Sequence, residues 1–278
     1  MKLAVLSGKG GAGKTFVAAN LAAAVGPAVY VDCDVEEPNG RLFWQPKEVE
    51  ETPVHTLLPQ FDGEKCVGCR KCVSFCRFHA LVFLKDKPML FPEVCHSCGG
   101  CELVCPARAI SEQKKEVGHL EAGVSGDVSV VTGVLNPGEA SGVPVISATL
   151  KKAASLGKNV IIDCPPGSAC PVVESASRAN ACLLVAEPTA FGFDNFCMVY
   201  ELVSLLGKPC SVVINKMDAP YPPLEEFCKE HHLPIVARIP YDPAVAASIA
   251  DGKLLAQQDP EMAELFRNIW DQVGGGHA

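Results

Sequence analysis

Two groups of residues in this 278-residue chain have the types and spacing to do chemistry. The first is Gly8-Lys9-Gly10-Gly11-Ala12-Gly13-Lys14-Thr15, which fits G-x-x-x-x-G-K-[ST] and is followed by Phe16. Glycines let backbone N–H groups curl around a phosphate, and a helix beginning at Lys14 adds its positive dipole end. Lys14 can reach the β- and γ-phosphates, and the Thr15 hydroxyl can ligate Mg²⁺. A plain glycine turn would not need Lys-Thr in register with a strand before it and a helix after it. The second group is eight of the fifteen cysteines, in two runs, Cys66-x2-Cys69-x2-Cys72-x3-Cys76 and Cys95-x2-Cys98-x2-Cys101-x3-Cys105-Pro106. A tight loop of this spacing puts three thiolates on three corners of an iron–sulfur cube. Zinc prefers paired hooks with tetrahedral closure, a poorer fit to triplet-plus-one runs. Core packing does not suit cysteines interleaved with Gly68, Arg70, Lys71, Gly99 and Gly100.

Further carboxylates end apolar runs. Val31-Asp32-Cys33-Asp34 places Asp34 where it can orient an attacking water or bind Mg²⁺ through water, with Asp32 in support. Val160 to Ile162 leads to Asp163, a candidate magnesium aspartate, and Gly167 follows with an N–H free to sense a γ-phosphate. Asn215-Lys216-Met217-Asp218 has the guanine-reading form N-K-x-D, which keeps GTP open beside ATP.

These residues need a scaffold. Residues 2–7 read as a buried strand, 14–25 as a helix and 28–31 as a second strand, an order that predicts a right-handed crossover and a parallel sheet. Further strands are expected at 128–132, 159–163, 181–186, 210–214 and 234–238. Helices are expected near 145–156, 193–206, 222–231, 243–250 and 260–273. The pattern breaks after about Gln60, turns rich in Cys, Gly, Lys and Arg, and resumes near Asp127. The fold class predicted is α/β: a mostly parallel nucleotide-hydrolase sheet flanked by helices, built from 1–59 and 113–278, with an inserted α+β module at 60–112.

A net charge of −8 argues against non-specific binding to nucleic acid or anionic membrane. No apolar run suits export or a membrane span, and the C-terminal stretch Trp270–Ala278 lacks a basic amphipathic helix. An odd cysteine count without a leader points to a reducing cytoplasm and metal-binding thiols. Residues past the last helix are expected to be disordered.

The loop K-G-G-x-G-K-T at Lys9–Thr15 resembles the deviant Walker A group of the MinD/ParA/Mrp ATPases and the nitrogenase iron protein. The resemblance covers nearly the whole chain outside the insertion. It implies ATP/ADP with Mg²⁺ and an ATP-dependent homodimer in which Lys9 reaches the partner's nucleotide. It also implies a switch I role for Asp34, a switch II role for Asp163 and Gly167 in the form D-x-P-P-G, and an adenine site at Asn215, with Lys216 beside it and Pro240 against the base. The cysteine runs resemble two-cluster bacterial ferredoxins. In that pattern Cys66, Cys69, Cys72 and Cys105 hold one 4Fe-4S cluster, and Cys95, Cys98, Cys101 and Cys76 hold the other. Arg77 stands where ferredoxins usually carry Pro, a departure that removes no ligand.

Cys170 sits where the nitrogenase iron protein has a cluster cysteine, yet Cys164 and Cys170 read more simply as small residues at a turn. Cys33, Cys182, Cys197, Cys210 and Cys228 read as buried hydrophobes, His96 as a surface residue, and His231-His232 as a favourable charge at a helix end. The resemblances together imply an ATP-driven redox or cluster-handling switch acting on another iron–sulfur or redox protein. A positioning ATPase with structural or sensory clusters, and an electron carrier with a degenerate nucleotide domain, are the alternatives.

Overall fold

In the computed structural model, the residues described are 1–157 and 159–275. The apolar run after Met1 forms β1 (Lys2–Leu6), the glycine-rich loop opens α1 (Lys14–Val25), and β2 (Ala28–Asp32) returns beside them. Next come β3 (Lys47–Phe61), α2 (Lys71–Phe75), β4 (Leu81–Leu84), β5 (Lys87–Leu90), α3 (Gly100–Leu103) and β6 (Ile110–Ser125). The remainder alternates: β7 (Val128–Leu135), α4 (Val143–Leu156), β8 (Val160–Asp163), α5 (Cys170–Ser177), β9 (Ala181–Ala186), α6 (Ala190–Leu205), β10 (Cys210–Met217), α7 (Pro222–Glu230) and β11 (Ile235–Pro240). Helices α8 (Pro243–Ala250), α9 (Leu255–Gln258) and α10 (Pro260–Gly275) close the chain. Gly276, His277 and Ala278, which fall in the stretch expected to be disordered, lie outside the described residues.

Among the described residues, nine strands form one sheet in the order β11-β10-β9-β1-β8-β2-β7-β6-β3. The seven from β11 to β7 run parallel, while β6 and β3 are antiparallel additions at one edge. Strand pleat divides the core between two faces. Ala4, Leu6 and Ile162 point toward α4, α5, α6 and α7, whereas Leu3, Val5 and Ile161 point toward α1, α9 and α10. Helix α1 is sandwiched between sheet and α10, which explains why its apolar residues lack one-sided spacing; Phe16 meets Phe266 edge-on at 5.8 Å.

The predicted parallel elements are present, with ends shifted by a few residues. The largest departure from expectation is the pair β3 and β6, fifteen and sixteen residues long, where the sequence reading placed no strands. The side chains of β3 and of the outer half of β6 are mostly exposed and lack the alternation that marks a half-buried strand; the stretch 119–123 of β6, beside β7, does alternate but is short. Pro53 and Pro59 within β3 are tolerated because β3 is an edge strand. Only Gly118–Ser125 of β6 pairs with β7, so the stretches His55–Phe61 and Ile110–Glu116 continue beyond the sheet as a two-stranded ribbon. A register shift lies at the root of this ribbon, between Val54 and His55, opposite Val117.

The ribbon carries residues 62–109, which together with the ribbon's end form a small core of Cys72, Leu81 and Ile110, with Phe61, Val73, Cys76, Leu90, Cys101 and Cys105 partly buried around it. The hairpin of β4 and β5 belongs to this part. No described helix is long and apolar enough to cross a membrane.

Candidate functional site

The parallel strands end at one edge of the sheet, and their C-terminal loops enclose a cavity of about 510 Å³. It is lined by Lys9, Gly10, Gly11, Gly13, Lys14, Thr15, Phe16, Asp34, Asn215, Lys216 and Pro240, all singled out from sequence. Gly8, Ala12, Asp163 and Gly167 stand behind this wall. A Cβ at Gly8 would collide with the backbone of Asn195, and one at Gly13 with the Asn215 amide, so close packing demands glycine at both. Gly13 also takes φ +91°, the left-handed turn that leads into α1.

At the cavity floor the Lys14 ammonium lies 2.6 Å from Asp163 Oδ1, with Lys14 only 6 % exposed and Asp163 1 %. Burial works to lower the Lys14 pKa, but the charge and hydrogen bond of Asp163, helped by Asp32 and Asp34, reverse this and leave it raised. The other oxygen of Asp163 accepts a hydrogen bond from the Tyr30 hydroxyl at 2.8 Å. Asp32 is fully buried and accepts from the backbone N–H groups of Gly40 at 2.7 Å and Asp34 at 3.0 Å. Burial, then the Asp163 charge, pushes its carboxyl up to about 7. Asp34 is half-buried at the rim, its carboxyl also raised by burial against the pull of Lys14.

Four expected site residues make contacts that only packing reveals. The Asn215 amide nitrogen donates to Ala12 O at 2.8 Å, and Lys216 donates to Gly11 O at 2.6 Å, so both brace the phosphate loop. The Gly167 N–H, at φ +90°, donates to Ser7 O at 3.1 Å. Lys9 pairs with Glu187 of its own chain at 2.5 Å and sits over the Phe191 ring, 5.1 Å from its centroid. Asp218 lines a neighbouring surface cavity with Glu187 and Tyr241, off the wall of the larger one.

Residues the sequence reading missed complete the site. Tyr30 is one: a fully buried hydroxyl in an apolar strand requires a partner, and that was the available signal. The apolar wall of Leu42, Phe43, Ile239, Val245 and Ile249 is another; it had none, because α8 is apolar all round. Cys164 is buried and Cys170 exposed. Cys33, Cys182 and Cys228 are buried as expected, while Cys197 and Cys210 are partly exposed.

The eight clustered cysteines sort into two small cavities. One gathers Cys66, Cys69, Cys72 and Cys105; the other gathers Cys95, Cys98, Cys101 and Cys76. Each takes three from one run and the last from the other. Apolar side chains fill most of the remaining walls, with Phe61, Phe83 and Ile110 at the first and Phe75, Phe78 and Leu81 at the second. His96 stacks on Phe78 at 3.8 Å.

The backbone repeats as well. Left-handed residues occur at Gly68, Arg70 and His79, and again at the equivalent Ser97, Gly99 and Arg108. Four of these six are not glycine, a conformation held only where surroundings over-determine it, as at ligand-gripping turns. The Ala109 N–H already donates to Cys105 Sγ at 3.3 Å. No three His, Cys, Asp or Glu side chains among the described residues are spaced to hold a single metal ion. A cubane spreads its thiolates over separate irons, so its four sulfurs need not converge on one point. The donor set and the repeated loops fit such a group.

A site of this design has known relatives. An uncharacterised protein of Methanocaldococcus jannaschii is 29 % identical over 283 residues, covering 98 % of this chain and 96 % of its own. An uncharacterised ferredoxin of the same organism is 38 % identical over 53 residues, 18 % of this chain and 69 % of that protein. Among solved structures, the septum site-determining protein MinD complexed with Mg-ADP, from Pyrococcus horikoshii, superposes with a TM-score of 0.62 at 18 % identity, covering 98 % of this chain and 95 % of that one. Residues 3–255 match the CobQ/CobB/MinD/ParA nucleotide binding domain, and the chain belongs to that family.

Proposed function

We propose that this chain is an ATPase that couples its nucleotide state to electron transfer, or to the handling of iron–sulfur clusters, with a partner redox or iron–sulfur protein. The observation that carries the reading is the three-plus-one sorting of eight cysteines at the end of a ribbon that leaves the sheet at the C-terminal end of β7.

Lys14 is charged, buried and aimed at the cavity, so a triphosphate competes with Asp163 for it. Thr15, and through water Asp163 and Asp34, would hold Mg²⁺, which when bound neutralises phosphate charge. Asp34 is placed at the rim to orient the attacking water. The Gly167 N–H would leave Ser7 O to sense the γ-phosphate, and Lys9 would leave Glu187 to serve a partner subunit in a homodimer. Adenine is favoured over guanine because Asp218 lies off the cavity wall, while Pro240 and apolar α8 face it. Cys66, Cys69, Cys72 and Cys105 would hold one 4Fe-4S cluster and Cys95, Cys98, Cys101 and Cys76 a second, within an inserted module at about 60–112; when bound, each cluster stores one electron.

A physical route joins the two parts. Val35, next to Asp34, accepts from the Leu135 N–H at 2.8 Å, and Asn136 donates to Val117 O at 2.9 Å. Leu135 pairs with Gly118 at the ribbon root. A shift of the Asp34 loop therefore acts on the strand end from which the ribbon departs.

Anaerobic purification with iron counting tests the reading, with about eight irons per chain expected. Adding Mg-ATP is expected to change the cluster signal or its rate of bleaching by chelator. A lone zinc, or no iron, overturns it. ATP turnover and clusters wholly indifferent to each other would favour a positioning ATPase with structural clusters.

A further inference from the structure

We propose that the exposed rim of the first cysteine loop, Lys65 to Lys71, is the docking edge for an acidic protein electron carrier. This rests on the cluster reading above and adds which cavity meets the partner. Between Asp62 and Ala109 basic residues outnumber acidic ones seven to five, while the whole chain carries −8. The two cavities do not share these charges equally. Around Cys66, Cys69, Cys72 and Cys105 stand Lys65, Arg70, Lys71 and Arg108, all exposed, with exposed Glu64 as the acidic exception. Nearby Asp62 is already paired with Lys65 at 2.9 Å. Around the other cavity the exposed charges are Glu93 and Glu102, with Arg77 as the basic exception.

Four thiolates with their cluster carry net negative charge, which the first rim offsets and the second compounds. The first rim also has contact surface. Val67 is 69 % exposed beside exposed Cys69, and Arg70 is fixed by stacking on Phe83 at 4.7 Å. Leu103 at the second rim is more exposed, 87 %, but sits next to Glu102. An apolar apex flanked by cations, with Arg70 pre-oriented among them, suits the small, charge-steered encounters of electron-transfer proteins. Four cations beside an acidic body are too few to hold a nucleic acid backbone. In the transfer itself one electron leaves the carrier's reduced centre and enters the cluster behind this rim; no bond or proton moves.

The test uses the full chain prepared anaerobically, with an acidic plant-type ferredoxin as probe. Binding is measured by calorimetry, and the rate of reduction by stopped flow. Wild-type association should weaken about tenfold as salt rises from roughly 20 to 200 mM. Arg70→Glu with Lys71→Glu should weaken low-salt binding by at least about tenfold and flatten that salt dependence. Glu93→Lys with Glu102→Lys should leave it unchanged or tighter. Iron is counted on every sample. Full iron with unaltered binding in the first variant overturns the docking edge alone, as does a wild type that ignores the ferredoxin or binds a duplex oligonucleotide equally well. A wild type without iron overturns the cluster reading beneath it.

Discussion

The nucleotide cavity and the cysteine module stabilise their chemistry in different ways. At the cavity the protein supplies its own counter-charge: Lys14 lies against Asp163, Tyr30 holds the other carboxylate oxygen, and a nine-stranded sheet with helices on both faces supports them all. In residues 62–109 the fully buried apolar side chains are few, and Val67, Leu84 and Leu103 face solvent. A segment of that size buries little surface to hold eight left-handed residues by packing alone. The comparison teaches that the nucleotide cavity is assembled by the chain's own contacts, while the cysteine module, under the proposed reading, would draw its order from a bound ligand.

Stripping iron should break the comparison most visibly. Amide exchange across 62–109 is expected to accelerate about a thousandfold, while the body keeps its protection and its Mg-ATP binding. Equal protection with and without iron would mean that the small core suffices.

Lys14→Ala should cut ATP turnover by about a hundredfold or more and cost about 3 kcal/mol of stability, because Asp163 is left buried and unpaired. The double variant with Asp163→Ala should regain much of that stability and none of the turnover, which thermal unfolding and a phosphate-release assay will separate.

A pH titration sharpens the electrostatics. Asp32 holds its proton up to about pH 7 in the folded chain and releases it near the ordinary carboxylate value of 3.8 when unfolded. The folded state therefore binds the extra proton between those values, and stability falls as pH rises from about 4 to about 7. Roughly 4 kcal/mol of this change should vanish in Asp32→Asn, read as the difference in Tm between variant and wild type across that range.

The smallest effect is expected at Tyr30→Phe, about 1 kcal/mol and a few-fold in turnover, since one hydrogen bond to Asp163 is lost with the ring retained. An unchanged turnover would show that Lys14 alone positions that carboxylate.

Much of this was legible from local order in the chain. Gly8 to Thr15 reads as a phosphate loop because phosphate gripping needs consecutive backbone amides, which only neighbours in sequence can supply. The cysteine spacing reads for the same reason: three thiolates on one tight loop are a local geometry. Buried parallel strands announce themselves as apolar runs. Tertiary structure decided the rest. Strands β3 and β6 are held by each other's backbone across about fifty intervening residues, and burial patterns only the short part of β6 beside β7. The pairing of Lys9 with Glu187, the turning of Asn215 toward Ala12, and the apolar wall that α8 lends to the cavity are contacts between residues far apart in sequence. No spacing rule encodes such contacts, because they depend on which loops the sheet brings side by side.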